Sequence, residues 1–264
     1  MRFLKPFHHS NQPALLLAIL ALTATLIVAT PPWQAAVAET ELKVIDSTEF
    51  PWHSIGRVNF AGYRTTSMCS GTLVAPKIVL TAAHCLYNAK KKKHLPTDEL
   101  LFIAGVRRDE YAARLEADCI LTPEDYAPQG RIKIQDIRND FGIIVLKEES
   151  TLAPVPPLEL EDLALFNKTT RFQSVGYRRS RSFLPTVVPS CKILGVAQNS
   201  WVTDCPTESG ASGGPFLLKT PEGLRVAGLT SAKIDDQRSV IVPFLEWRDF
   251  LENATCPSGG TQSQ

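Results

Sequence analysis

The sequence predicts an all-β fold, a barrel or a sandwich, closed by one helix near its C-terminus. Three observations carry that prediction. Short runs rich in β-branched and aromatic residues recur along the chain, each bounded by Gly, Pro, Asn or Asp. No helical periodicity separates them. A single stretch, Pro243 to Leu251 (PFLEWRDFL), sets Phe244, Trp247, Phe250 and Leu251 at helical spacing, with Pro243 suited to a first helical turn.

In chain order, the first segment stands apart from the fold. Arg2 and Lys5 give a positive start, Ala14 to Thr30 is a run of apolar and small residues, and Pro31 and Pro32 stop any helix. Ala36-Val37-Ala38 supplies a small-x-small cleavage site, so residues 1–38 read as a signal peptide and the mature chain as starting at Glu39. An uncleaved membrane anchor is the alternative, but the run is short for a span of about 20 residues. The expected strands are Ser54 to Phe60, Cys69 to Val74, Lys77 to Thr81, Leu100 to Ala104, Ala112 to Leu121 and Gly142 to Leu146. Phe172 to Val175, Cys191 to Val196, Pro215 to Leu218, Arg225 to Leu229 and Ser239 to Val242 follow. Ser150 to Pro157 (STLAPVPP) interrupts the pattern as a linker, placed at 151–168. The helix is placed at 243–256 and a flexible tail at 257–264.

Composition narrows the function. A formal net charge of +1 argues against a nucleic-acid partner, which calls for a strongly basic surface. Loss of Arg2 and Lys5 with the leader shifts the charge to about −1. Six cysteines remain: Cys69, Cys85, Cys119, Cys191, Cys205 and Cys256. An even number in an exported chain favours disulfides in an oxidising compartment, secreted or periplasmic. No Cys-x-x-Cys pair occurs, so a zinc site of that kind is not expected, nor any other cofactor.

Three segments carry chemistry. Ser212 lies in Gly210-Ala211-Ser212-Gly213-Gly214-Pro215, where glycines allow a tight turn that aims backbone amides inward. A serine hydroxyl is a weak nucleophile without a base beside it. His84, in Thr81-Ala82-Ala83-His84-Cys85, has the pKa range a general base needs. A histidine beside a cysteine is also a metal-ligand pattern, but no second Cys/His cluster matches it. Asp140 precedes Phe141 and the apolar run Gly142 to Leu146, so it stands at the mouth of a buried strand. A carboxylate there can orient the imidazole. Taken alone, Asp140 reads more simply as a turn or cap residue. The order His, Asp, Ser, each in its own context, makes the joint signal.

These motifs resemble the three signatures of the trypsin/chymotrypsin superfamily of serine proteases. The resemblance extends to Pro51-Trp52, Ser174-Val175-Gly176-Tyr177, Val226 to Ser231 and the Trp247 helix, so it covers nearly all of the mature chain. It implies two antiparallel six-stranded β-barrels with a C-terminal α-helix and the active site in the cleft between the barrels. The first barrel would span residues 39–150 and carry His84 and Asp140; the second would span 169–242 and carry Ser212. It also implies an oxyanion hole from the amides of Gly210 and Ser212, and an endopeptidase that works through an acyl-enzyme on a protein or peptide substrate. The enzyme would be a monomer with no stable membrane insertion once the leader is removed.

The chain departs from that pattern at two linked places. Ala211 stands where the superfamily usually has aspartate, and no Ile-Val-Gly-Gly start exists to supply an inserted N-terminus. The bacterial glutamyl endopeptidase branch is similar in this, and Pro51 to Val58 is closest to it in style. Pro206, Thr207, Ser209, Thr230 and Ser231 are the expected substrate-binding residues, but Pro206 and Thr230 match neither basic nor glutamyl specificity. Lys90 to Lys93 form a KKKK run that reads as a solvated loop, with an anionic surface as the alternative. Rival functions are a catalytically inactive homologue acting as a binding module, an esterase and a quality-control protease. All three triad residues are present, the Ser212 context lacks an esterase's strand–elbow–helix, and no room remains for a peptide-binding domain. Of 15 possible cysteine pairings, the expected one begins with Cys69–Cys85, a bridge the superfamily pattern has. Cys191–Cys205 follows from a hairpin across the polar connection Gln198 to Ser200, and Cys119–Cys256 is left.

Overall fold

The computed structural model describes residues 41–63, 65, 68–88, 90–126 and 133–257. The expected signal peptide, its cleavage site and nearly all of the tail lie outside the described residues. Among the described residues sixteen strands are formed, in chain order β1 (Lys43–Val44), β2 (Ile55–Phe60), β3 (Met68–Ala75), β4 (Ile78–Thr81), β5 (Tyr87–Asn88), β6 (Lys93–His94), β7 (Leu100–Ala104) and β8 (Ala113–Leu121). They continue as β9 (Gly142–Leu146), β10 (Phe172–Arg178), β11 (Arg181–Cys191), β12 (Ile193–Ala197), β13 (Ser200–Thr203), β14 (Pro215–Thr220), β15 (Gly223–Lys233) and β16 (Ser239–Pro243). One helix, α1 (Phe244–Glu252), follows. No helix among the described residues is long and apolar enough to cross a membrane.

The expectation of two six-stranded barrels is corrected. One closed barrel forms, in the order β2-β3-β4-β9-β8-β7. The second half is an open eight-stranded sheet, β1-β11-β10-β14-β15-β16-β13-β12, and β5-β6 is a separate hairpin. The cause lies between β11 and β12. Only Lys192 separates them, and a strand cannot fold back on its neighbour without a hairpin turn of about two residues. The outer edge of β11 is instead occupied by β1, where Lys43 faces Val187 and Val44 faces Thr186. The open end is tied by side chains. Cys191 is bridged to Cys205, and the Lys192 amide donates to Asp204 Oδ1 at 2.7 Å.

Burial explains why the closed half is cylindrical. β7 and β9 are buried at every position, as LLFIA and GIIVL require, while β8 alternates and shows one face to water. Phe172, Trp201 and Phe216 pack together on the open sheet, with Phe172 and Phe216 stacked at 4.6 Å. Helix α1 buries Phe244 and Trp247 and sets Phe250 edge-on to Phe141, beside Asp140. Segment 151–168 is bound to both halves: the Val155 amide donates to Leu73 and the Leu158 amide to Val226. Three disulfides join Cys69 to Cys85, Cys119 to Cys256 and Cys191 to Cys205, the same pairing expected above.

Candidate active site

One ladder brings His84 and Asp140 together. β4 and β9 pair with Thr81 opposite Gly142, so the residues just past β4 meet those just before β9. The chain leaves β4 into a 3-10 turn, Ala83–Cys85, which presents His84. Asp140 is fully buried. Its Oδ1 accepts the His84 amide at 2.9 Å, and its Oδ2 accepts His84 Nδ1 at 2.8 Å. The Ser231 hydroxyl donates to the same Oδ2. A carboxylate only accepts, so Nδ1 carries the proton and Nε2 keeps the lone pair of the neutral ring. Burial disfavours the imidazolium, but the charge of Asp140 and its hydrogen bond outweigh burial and raise the His84 pKa. Burial, reinforced by the Asp140 charge, keeps the nearby Tyr126 phenol protonated.

Ser212 arrives from the other half, on the loop between β13 and β14. Its amide and that of Gly210 donate to no group among the described residues. The Ser209 carbonyl accepts the Arg179 amide at 2.8 Å, and in a planar trans peptide this turns the Gly210 N–H the opposite way. Gly210 has φ +98°, and a Cβ there would lie 2.8 Å from the Tyr177 carbonyl, so glycine is required. The Ser70 hydroxyl donates to the Gly210 carbonyl at 2.9 Å and accepts the Tyr177 amide at 2.8 Å. Arg178, only 3% exposed, donates from Nε to Thr186 Oγ1 at 3.0 Å and from a terminal nitrogen to the Pro206 carbonyl at 3.2 Å. Glu208 accepts both the amide and the hydroxyl of Ser180 at 2.7 Å.

Ser212 and His84 line one cleft of about 460 Å³, with Gly210, Ser209, Met68 and Lys90 among its other walls. The Ser212 hydroxyl lies 3.5 Å from the Ser231 carbonyl. Its bond to Nε2 is not formed in this structure, and such bonds are often long before substrate binds.

The expected substrate-binding residues separate into groups. Pro206 and Thr207 border a 250 Å³ cavity with Arg178, Glu208 and Lys233, while Ser209 borders the cleft that His84 and Ser212 share. Thr230 and Ser231 lie on β15, where the Ser231 hydroxyl is used by Asp140. The buried hydroxyls of Thr207 and Thr230 have no hydrogen-bond partner among the described residues. Among the described residues one cluster has the donor atoms of a metal site, Cys69, His84 and Cys85, but its two sulfurs form a disulfide and offer no thiolate. Ser70 and Arg178 were not singled out by sequence reasoning, while the KKKK run that holds Lys90 was read as a solvated loop. Only Lys90 had a signal there, in the KKKK run.

The family described as Trypsin matches residues 45–247 of this chain. A CLIP domain-containing serine protease B10 of Anopheles gambiae is 35% identical over 96 residues, which is 36% of this chain and 23% of that relative's length. The solved structure of a Glu endopeptidase in complex with MPD superposes with a TM-score of 0.65 at 19% identity, covering 82% of this chain and 99% of that one. That likeness is one of fold.

Proposed function

This chain belongs to the trypsin family, and on that premise we propose that it is an exported serine endopeptidase with Ser212 as nucleophile, His84 as base and Asp140 as the group that orients the base. One observation carries the reading: both oxygens of buried Asp140 are bonded to His84, and His84 shares a cleft with Ser212. Ser212 Oγ attacks the scissile carbonyl carbon while His84 Nε2 takes its proton. The carbonyl oxygen becomes an oxyanion, stabilised by the amides of Gly210 and Ser212. His84 passes the proton to the leaving amine as the C–N bond breaks. Water then attacks the acyl-enzyme by the same route and restores Ser212.

The reading extends to compartment and pocket. All six cysteines are in disulfides, which supports an oxidising, extracytoplasmic destination. The enzyme acts as a monomer on protein or peptide chains. Pro206, Thr207, Ser209, Thr230 and Ser231 are the residues proposed to select the side chain before the scissile bond; they divide between a separate cavity, the cleft and β15. Ala211 is buried and neutral, so no inserted ammonium group is needed to set the loop.

A fluorophosphonate probe tests the core claim. It labels the folded protein at Ser212, and Ser212→Ala abolishes labelling and lowers kcat by about 10⁶. Wild-type proteolysis in Ser212→Ala refutes the mechanism. A folded wild-type protein that neither labels nor cleaves favours the inactive homologue.

A further inference from the structure

The lysine run that the mechanism leaves unused stands at the rim of the catalytic cleft. Tyr87–Asn88 and Lys93–His94 form the β5–β6 hairpin, with Lys90 to Lys92 at its turn. The hairpin is fixed at its base. The Leu95 amide donates to Leu86 at 2.8 Å, His94 Nε2 pairs with Thr122 Oγ1 at 2.8 Å, and Tyr87 is edge-on to both His94 and Tyr126. At the turn, Asn88 Oδ1 accepts the amides of Lys90 and Lys91, each at 3.1 Å. Lys90 to Lys93 are all exposed, and among the described residues none is in an ion pair.

Two further facts give the run a direction. Lys90 lines the same cleft as His84 and Ser212, and among the described residues no Asp or Glu lines that cleft. Strand β15, whose Ser231 carbonyl faces Ser212, lies outside this cleft, as do Pro206, Thr207 and Thr230. Of the residues proposed for the side chain before the bond, only Ser209 reaches this cleft, which leaves most of its wall, from Val58 to Leu95, to the other part of the substrate. That part is the segment after the bond, which leaves as the amine. Apolar Val58, Phe60, Met68 and Leu95 provide contact surface there, and the lysines provide the charge.

We propose that the β5–β6 hairpin is a specificity element selecting polypeptides with acidic side chains shortly after the scissile bond. The proposal rests on the endopeptidase reading and names its substrate class. An extended chain advances about 3.3–3.6 Å per residue, so a carboxylate two or three residues beyond the bond lies about 7–11 Å from it, within the reach of a rim lysine. Charges of this kind act mainly on encounter and orientation, and they are screened by salt.

The test uses internally quenched peptides identical up to the scissile bond, their acyl side chosen by library profiling. The second and third residues after the bond are Ala-Ala, Glu-Glu or Lys-Lys. In wild-type protein kcat/KM is expected to be about tenfold higher for Glu-Glu than for Ala-Ala at low salt, and about twofold higher at roughly 0.5 M salt. In Lys90→Glu/Lys91→Glu/Lys92→Glu the order inverts, with Lys-Lys preferred. Each ratio is taken within one protein, so a general loss of activity cancels. A wild-type ratio under about twofold at low salt overturns the proposal. So does a Glu-Glu preference that survives charge reversal, or a variant that loses heparin binding while its peptide ratios stay put. The last result assigns the run to polyanion binding. Failure of wild-type protein to label with fluorophosphonate or cleave any peptide refutes the endopeptidase reading itself, whereas labelling with unbiased cleavage refutes only the hairpin's role.

Discussion

The half that carries His84 and Asp140 and the half that carries Ser212 hold these residues by different means. His84 and Asp140 sit at adjoining ends of β4 and β9, and a closed barrel fixes the register of those strands. Ser212 sits on a loop off an open sheet, from Asp204 to Gly214, with no ladder of its own. Side chains brace that loop: Ser70 at the Gly210 carbonyl, Arg178 at the Pro206 carbonyl and Ser180 at Glu208. A ladder spreads its restraint over many regularly spaced backbone bonds, whereas this loop combines scattered backbone bonds, such as the Ser70 amide to the Ser212 carbonyl at 2.8 Å and the Gly213 amide to the Thr230 carbonyl at 2.7 Å, with those few side chains. Loss of one side chain should therefore cost stability in the barrel and rate in the loop.

The largest effect tests the barrel side at its one point of chemistry. Asp140→Asn keeps the fold but lowers kcat by about 10⁴, because an amide can force the wrong imidazole tautomer. Steady-state kinetics with circular dichroism on the same sample checks this. A loss of only about twofold would mean that another carboxylate orients His84.

The disulfides offer a matched pair. Cys69–Cys85 closes 16 residues in the barrel half and Cys191–Cys205 closes 14 in the open half, so loop entropy assigns each about 3 kcal/mol. Replacing either pair with alanines should lower denaturant stability by similar amounts. Loss of Cys191–Cys205 should also change the preference for the residue before the bond, since Cys205 directly precedes Pro206, whereas loss of Cys69–Cys85, which lines the cleft, should leave that preference in place. The first effect appears as a changed cleavage profile. Equal changes in profile from both variants would erase the distinction between the halves.

Arg178→Met should lower kcat about tenfold to thirtyfold with KM within about twofold, since it loosens the peptide wall leading to the oxyanion donors. The readout that a merely structural role would not move is affinity for a peptide boronic acid. It falls in step with kcat/KM, while affinity for the product peptide holds. A drop in thermal stability with unchanged kcat would place Arg178 among ordinary core residues.

Legibility in the sequence follows the same division. The strands of the barrel were readable because IVLT and GIIVL are continuous apolar runs. The long strand β11 was not, because Pro185 and Pro189 interrupt it and proline argues against a strand. Pro185 is tolerated because its carbonyl still accepts, from the Ile45 amide at 3.1 Å. Closure of the second barrel was inferred from family likeness, and the single residue between β11 and β12 overrules it. At the site, His84, Asp140 and Ser212 each sit in a local motif. The Ser231–Asp140, Ser70–Gly210 and Arg178–Pro206 bonds join residues 91, 140 and 28 apart, and no local spacing encodes such contacts.

The smallest effect concerns two histidines shifted in opposite directions. His94, on the cleft-side hairpin, is lowered by burial alone. His84 is buried too, but Asp140 reverses the sign and raises its pKa. Activity needs neutral His84, so the acid limb of kcat/KM should lie above pH 6.5, the ordinary histidine value. NMR titration of Ser212→Ala should place the two imidazoles on opposite sides of that value. Adding Asp140→Asn should carry His84 below it, because burial then acts unopposed. Stability has the reverse sign. A raised folded-state pKa contributes stability that is fully present below the unfolded value and lost as pH rises through the folded one. The His84–Asp140 pair therefore stabilises the barrel most on the acid side of the limb, where the enzyme is least active. A titration in which Asp140→Asn leaves the His84 midpoint unmoved would show that the carboxylate does not control the base, and the catalytic assignment of Asp140 would fall with it.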